Sequence, residues 1–171
     1  MSRGGPAIAW WRGKIGRFRG HLRSTVRPEE REELAGWLTP AQLALFEAMP
    51  VADRRHGLDV VAALRTAGHG NDRELLLAGL LHDAGKGPRV RLWHRVAWSL
   101  TERYGAWIAA SARRLPGGRE GLERLAHHAD RSAELARAAG ASERTAALIR
   151  HRAAPQDGPA LEALRLADEG S

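Results

Sequence analysis

The stretch Leu75-Leu76-Leu77-Ala78-Gly79-Leu80-Leu81-His82-Asp83-Ala84-Gly85-Lys86 decides how this chain is read. An apolar run ends in an imidazole and a carboxylate, two groups that are expensive to bury unless something satisfies them. Asn71 stands ahead of the run as a helix cap, and Gly85 stands behind it as a stop. On a helix, His82 and Asp83 point about 100° apart. They can still converge on one ion beside the helix, and the carboxylate keeps a second oxygen for a second ion. The plainer alternative leaves both side chains exposed at a helix end. Lys86 weighs against it. The only other lysine is Lys14, and every other cationic side chain of residues 28–171 is an arginine, histidines aside. A departure from so strong a bias points to a need for a compact ammonium rather than a planar guanidinium. Metal ligands and a phosphate-binding cation thus lie within one short segment.

Outward from this segment the chain reads as helix after helix. Upstream, Pro28 precedes an acidic first turn, Thr39-Pro40 is a cap followed by proline at the first helical position, and Pro50 ends that helix. Residues 51–67 follow, stopped by Gly68 and Gly70. Downstream, Gly87-Pro88 is a break, and residues 89–115 are helical with an interruption at Gly105. After the loop at Pro116-Gly117-Gly118, residues 119–139 form one helix, or two that meet near His128. Ser142 caps a helix to Arg152, and residues 160–168 form the last one. No stretch alternates apolar and polar residues with β-branched side chains, so the expected class is all-α. The 171 residues suit one domain with a real core.

Composition narrows the function classes. Apolar residues at 43% and charged residues at 27% are the profile of a globular protein in water. The absence of cysteine excludes disulfides, Cys-zinc sites and thiol nucleophiles. No apolar run is long enough to span a bilayer, and Met1 to Val26 lacks the apolar region of a signal peptide, so a cytoplasmic protein is expected. The net charge of +7 resides in residues 1–27, which carry seven basic side chains and no acid. Ile8, Trp11, Ile15, Phe18, Leu22 and Val26 recur at helical spacing there, with arginines around much of the rest. Residues 1–27 therefore read as a basic amphipathic helix ahead of a domain at 28–171. Packing on that domain is the commoner use of such a stripe; a peripheral contact with anionic membrane, or with nucleic acid, is the functional one.

Four of the eight histidines lie in helical segments together with two aspartates: His56, His82, Asp83, His128, His151 and Asp168. Residues 80–86, Leu-Leu-His-Asp-Ala-Gly-Lys, resemble the "HDIGK" segment of the HD superfamily of metal-dependent phosphohydrolases. His56, in Asp53-Arg54-Arg55-His56, matches that family's first histidine. His128, followed by Ala129-Asp130-Arg131-Ser132-Ala133-Glu134-Leu135, matches the third. His151 matches the next, and Asp168, in Leu166-Ala167-Asp168-Glu169, matches the closing aspartate. The resemblance spans residues 51–169 and rests on the order of six matches.

It implies a helical bundle with these side chains facing one cavity. It also implies that His56, His82, Asp83 and Asp168 hold one divalent ion. Asp83, His128 and His151 would hold a second, with Asp83 bridging. Nitrogen and oxygen ligands suit manganese, iron or magnesium. A metal-bound hydroxide would attack phosphorus, and Lys86 would bind a substrate phosphate, with Arg55 and Arg152 as further candidates. The implied substrate is a phosphate ester or anhydride, expected to be a nucleotide.

The chain departs from the family in places. It lacks the Gly-Tyr-Pro extension of the branch that cleaves cyclic di-GMP. It has His151-Arg152 where some binuclear relatives have two histidines, which leaves one ion or two open. His127 is an alternative to His128. His21 and His69 carry no ligand expectation, and His94 is expected on an exposed or tail-facing helix side. Two other readings stand beside hydrolysis: a nucleotide-sensing HD domain without turnover, and a tethering module acting through the basic tail.

Overall fold

In the computed structural model the described residues are 25–151 and 157–171. They form ten α-helices and no strand. In chain order these are α1 (Pro28–Ala35), α2 (Pro40–Glu47), α3 (Val51–Leu64), α4 (Arg73–Leu81), α5 (Leu92–Tyr104), α6 (Trp107–Ala112), α7 (Gly118–Ala126), α8 (His128–Ala138), α9 (Glu143–Ile149) and α10 (Gly158–Gly170). A π-helical turn, Arg65–His69, follows α3. The all-α expectation holds for these residues. The amphipathic helix expected over residues 1–27 falls outside them except for Thr25, Val26 and Arg27, which are not helical.

Local signals place most helix ends. Thr39 and Gln42 form a reciprocal capping box at α2, with Pro40 in the first turn. Gly105 (φ 108°) separates α5 from α6, and Gly68 (φ 92°) breaks the helical path within the turn after α3, which itself closes at Leu64, three residues before the expected end at Ala67. The cap of α4 is Asp72 rather than Asn71. Its carboxylate accepts from the Leu75 N–H at 3.1 Å, and Arg144 of α9 grips both of its oxygens at 2.8 Å. Either residue can cap a helix; the guanidinium selects the one that is charged.

The quoted apolar run becomes α4, and every residue from Leu75 to Leu81 is buried. A helix apolar on all sides must be surrounded, and α3, α9 and α10 surround this one. Val60, Leu64, Leu148, Ile149 and Leu164 complete the packing. The approach of α3 to α4 depends on Gly57, where a Cβ would lie 2.5 Å from the Leu80 carbonyl oxygen. A second, smaller cluster holds Val90, Ala97, Ala109, Ala112, Leu122 and Leu125, with Trp93 and Trp98 packed against it. It joins α5, α6 and α7 into a lobe of their own.

Candidate metal centre

Helix α4 stops at Leu81, so residues 82–86 form a turn rather than a last helical segment. The turn lets two neighbouring side chains face inward together: His82 is 7% exposed and Asp83 only 2%. The His82 Nδ1–H donates to the Gly79 carbonyl at 2.9 Å, which leaves Nε2 as the atom free to bind a ligand. Because Gly57 brings α3 against α4, its neighbour His56 meets His82 edge-on, with ring centroids 5.2 Å apart. The ligand atoms of His56, His82 and Asp83 all lie within 4.8 Å of one another. This group could hold a metal ion.

Asp168 of α10 closes the same side. Its Oδ1 is 2.8 Å from His56 Nε2 and 3.4 Å from His82 Nε2. On the other side Lys86 donates to Asp83 Oδ2. His128, at the start of α8, donates Nδ1–H to the Leu125 carbonyl at 2.7 Å and turns Nε2 toward Asp83 Oδ1, 3.8 Å away. His127 is exposed at the junction of α7 and α8. Of the two histidines, His128 is therefore the one at the cluster. Gly85 makes the approach of α8 possible: a Cβ there would lie 2.4 Å from the His128 carbonyl oxygen. Its N–H donates to Ser132 Oγ at 2.8 Å.

Among the described residues, no hydrogen bond or ion pair brings His151 to this cluster. It is exposed just after α9 with a left-handed φ of 56°. Arg55 is engaged elsewhere, with Glu30 at 2.7 Å and Asp59 at 2.9 Å, and Arg152 lies outside the described residues. His94 corrects the expectation of an exposed position. It is 2% exposed, accepts from the Arg91 N–H at 2.9 Å through Nδ1, and donates Nε2–H to the Gly117 carbonyl at 3.1 Å.

The sequence reading also missed Asp53 and Arg95. Arg95 of α5 reaches Asp53 Oδ2 at 2.6 Å, and Asp53 is 1% exposed. Asp53 precedes His56 by three residues on the same helix face, which was a usable signal. Arg95 carried none, being one arginine among many.

The electrostatics follow from burial and charge. Burial by itself disfavours the imidazolium of His82, but Asp83 and Asp168 outweigh it and raise its pKa to about 9. Burial would push the Asp83 carboxyl up; Lys86, His82, His56 and His128 instead hold it well below the usual range. Asp168 is likewise held down against burial by its bonds to His56 and His82. Burial, then Lys86, lowers the pKa of His128 against the pull of Asp83. A cation is therefore favoured between these carboxylates.

An open cleft of about 550 Å³ lies between Gly68 and Arg144 and shares no residue with this cluster. Its charges satisfy one another: Arg144 binds Asp72, Glu74 and Asp157. It offers no comparable chemistry.

Fold and site together define an all-α protein with a buried His/Asp group able to hold a metal ion. No protein-family model, no curated protein and no solved structure matches the chain.

Proposed function

We propose that this protein is a metal-dependent phosphohydrolase of the HD type, acting on a phosphate ester or anhydride, with a nucleotide as the substrate class. The observation that carries the reading is the environment of Asp83. This carboxylate is 2% exposed, shares a ligand group with His56 and His82, and has Lys86 on its other oxygen. The donor set is two imidazoles and carboxylate oxygen, which fits manganese, iron or magnesium. His56, His82, Asp83 and Asp168 would hold the ion. Once bound, such an ion acidifies water and neutralises charge on phosphoryl oxygens.

The chain's own groups do the rest. The Gly79 carbonyl fixes the His82 tautomer, and the Leu125 carbonyl does the same for His128. Lys86 is within reach of a phosphate oxygen presented beside Asp83, and its compact ammonium can exchange the carboxylate for that oxygen. His128 stands on the Lys86 side of Asp83, placed to orient substrate or to serve a second ion.

The test is hydrolysis of a nucleotide panel and of p-nitrophenyl phosphate with added Mn²⁺, for the wild-type protein and Asp83→Asn. The reading expects metal-dependent turnover that falls by more than about a hundredfold in the variant. Undiminished turnover after chelation would refute it. Nucleotide binding without turnover under any metal would move the assignment to a sensing domain.

A further inference from the structure

The α5–α7 lobe contains a surface that the metal centre does not use. Val96, Leu100 and Tyr104 recur every four residues along α5 and so share one face. Val96 is 40% exposed and Tyr104 50%. Trp107, at the start of α6, is 67% exposed, and its indole N–H donates to the Tyr104 carbonyl at 3.0 Å, which ties it to the end of α5. Leu115 follows α6 at 54% exposure. Four of the seven large apolar side chains exposed among the described residues thus fall between positions 96 and 115. Isolated exposed apolar residues need no explanation, but a concentration of them does.

The charge of the same segment is one-sided. Residues 89–119 carry seven arginines and a single acid, Glu102, whereas the rest of 28–171 has more acids than bases. Glu102 accepts from the Trp98 indole at 3.0 Å. Arg103, Arg113 and Arg114 are exposed and form no ion pair among the described residues. The Arg103 guanidinium lies 5.9 Å from the Tyr104 ring.

We infer that this exposed, basic segment, residues 96–115, docks on an anionic lipid bilayer. Tryptophan and tyrosine favour the headgroup boundary, aliphatic side chains favour the acyl region just beneath it, and arginines pair with lipid phosphates. The aliphatic share of the patch separates it from a nucleic-acid surface. Val96 and Leu115 can neither stack on a base nor donate to a phosphate. The inference is independent of the hydrolase reading, because none of these side chains belongs to the metal centre.

Co-sedimentation of the full-length protein with phosphatidylcholine vesicles, with and without phosphatidylglycerol, tests it. Binding is expected only to the mixed vesicles. Trp107→Glu combined with Leu115→Glu should weaken it about tenfold or more, and Arg113→Glu with Arg114→Glu by a similar factor. All four positions are exposed, so thermal unfolding should stay close to wild type. These variants keep residues 1–27 intact. If both bind mixed vesicles as the wild type does, the contact lies elsewhere and the inference fails. It also fails if wild type ignores the mixed vesicles. In that case, loss of duplex-DNA binding in the variants would reassign the face to nucleic acid, and loss of a dimer in sedimentation velocity would reassign it to self-association.

Discussion

The two halves of this molecule spend their apolar residues differently. Around α4, leucines and valines close on one another and leave a His/Asp group that could hold a metal ion at the edge of the larger core. In the α5–α7 lobe the interior is Val90, Ala97, Ala109, Ala112, Leu122 and Leu125 with Trp93 and Trp98 packed against them, and the large side chains Tyr104 and Trp107 are turned outward. Three of those six buried residues are alanines, and the cluster is smaller than the one around α4, so the lobe gains less from the hydrophobic effect than the bundle does. The first region is organised to hold atoms at fixed distances, the second to present a surface. Arg95 and Asp53 join them, since one belongs to α5 and the other to α3.

That join is the sharpest place to test the comparison. Arg95→Ala leaves Asp53 buried and unpaired, and urea unfolding should show a loss of about 3 kcal/mol. Asp53→Asn with Arg95→Leu should recover part of it; no difference between single and double variants would mean that the two regions are not coupled there. The cores come next. Leu80→Ala in α4 should cost about 3–4 kcal/mol, against about 2–3 kcal/mol for Leu122→Ala, because Leu80 belongs to the larger of the two buried clusters. Equal losses would break the distinction between the larger and the smaller core.

The metal centre adds a pH signature that the lobe lacks. The His82 pKa rises from 6.5 to about 9, so the imidazolium stabilises the metal-free fold fully below pH 6.5, and this contribution is lost as pH rises through about 9. A metal must displace that proton. Calorimetric titration with Mn²⁺ should therefore show affinity rising by about tenfold from pH 7 to 8, with close to one proton released per ion, and levelling off as pH passes about 9. A flat profile would separate His82 from the ligand set. The smallest effect belongs to the exposed stripe: Val96→Ser should change unfolding free energy by less than about 0.5 kcal/mol.

Much of the fold was legible because its punctuation is local. Thr39-Pro40, Gly105 and Ser142 mark helix ends through groups within a few residues of themselves. Where the deciding partner is distant, the local sequence does not decide. Asn71 and Asp72 cannot be ranked without Arg144 from α9. The burial of His94 depends on the Gly117 carbonyl and on Gly121, where a Cβ would sit 2.1 Å from the imidazole. At the site, His56, His82, Asp83 and Asp168 meet as their order along the chain suggested, and His128 joins through Asp83. His151 was expected beside them from its place in that order; it sits just after α9 at a φ of 56° that chain order alone does not disclose.

The close contacts at Gly57 and Gly85 bear on how this site could change over time. Neither residue has a side chain to offer a metal or a phosphate, yet each fixes where a ligand-bearing segment can lie. A descendant that gave up the His/Asp group could replace Asp83 or Lys86 while keeping its architecture. Replacing either glycine would force α3 off α4, or α8 off the turn at 82–86. The two glycines would thus outlast the ligand group and mark ancestry in copies whose His82 and Asp83 had gone.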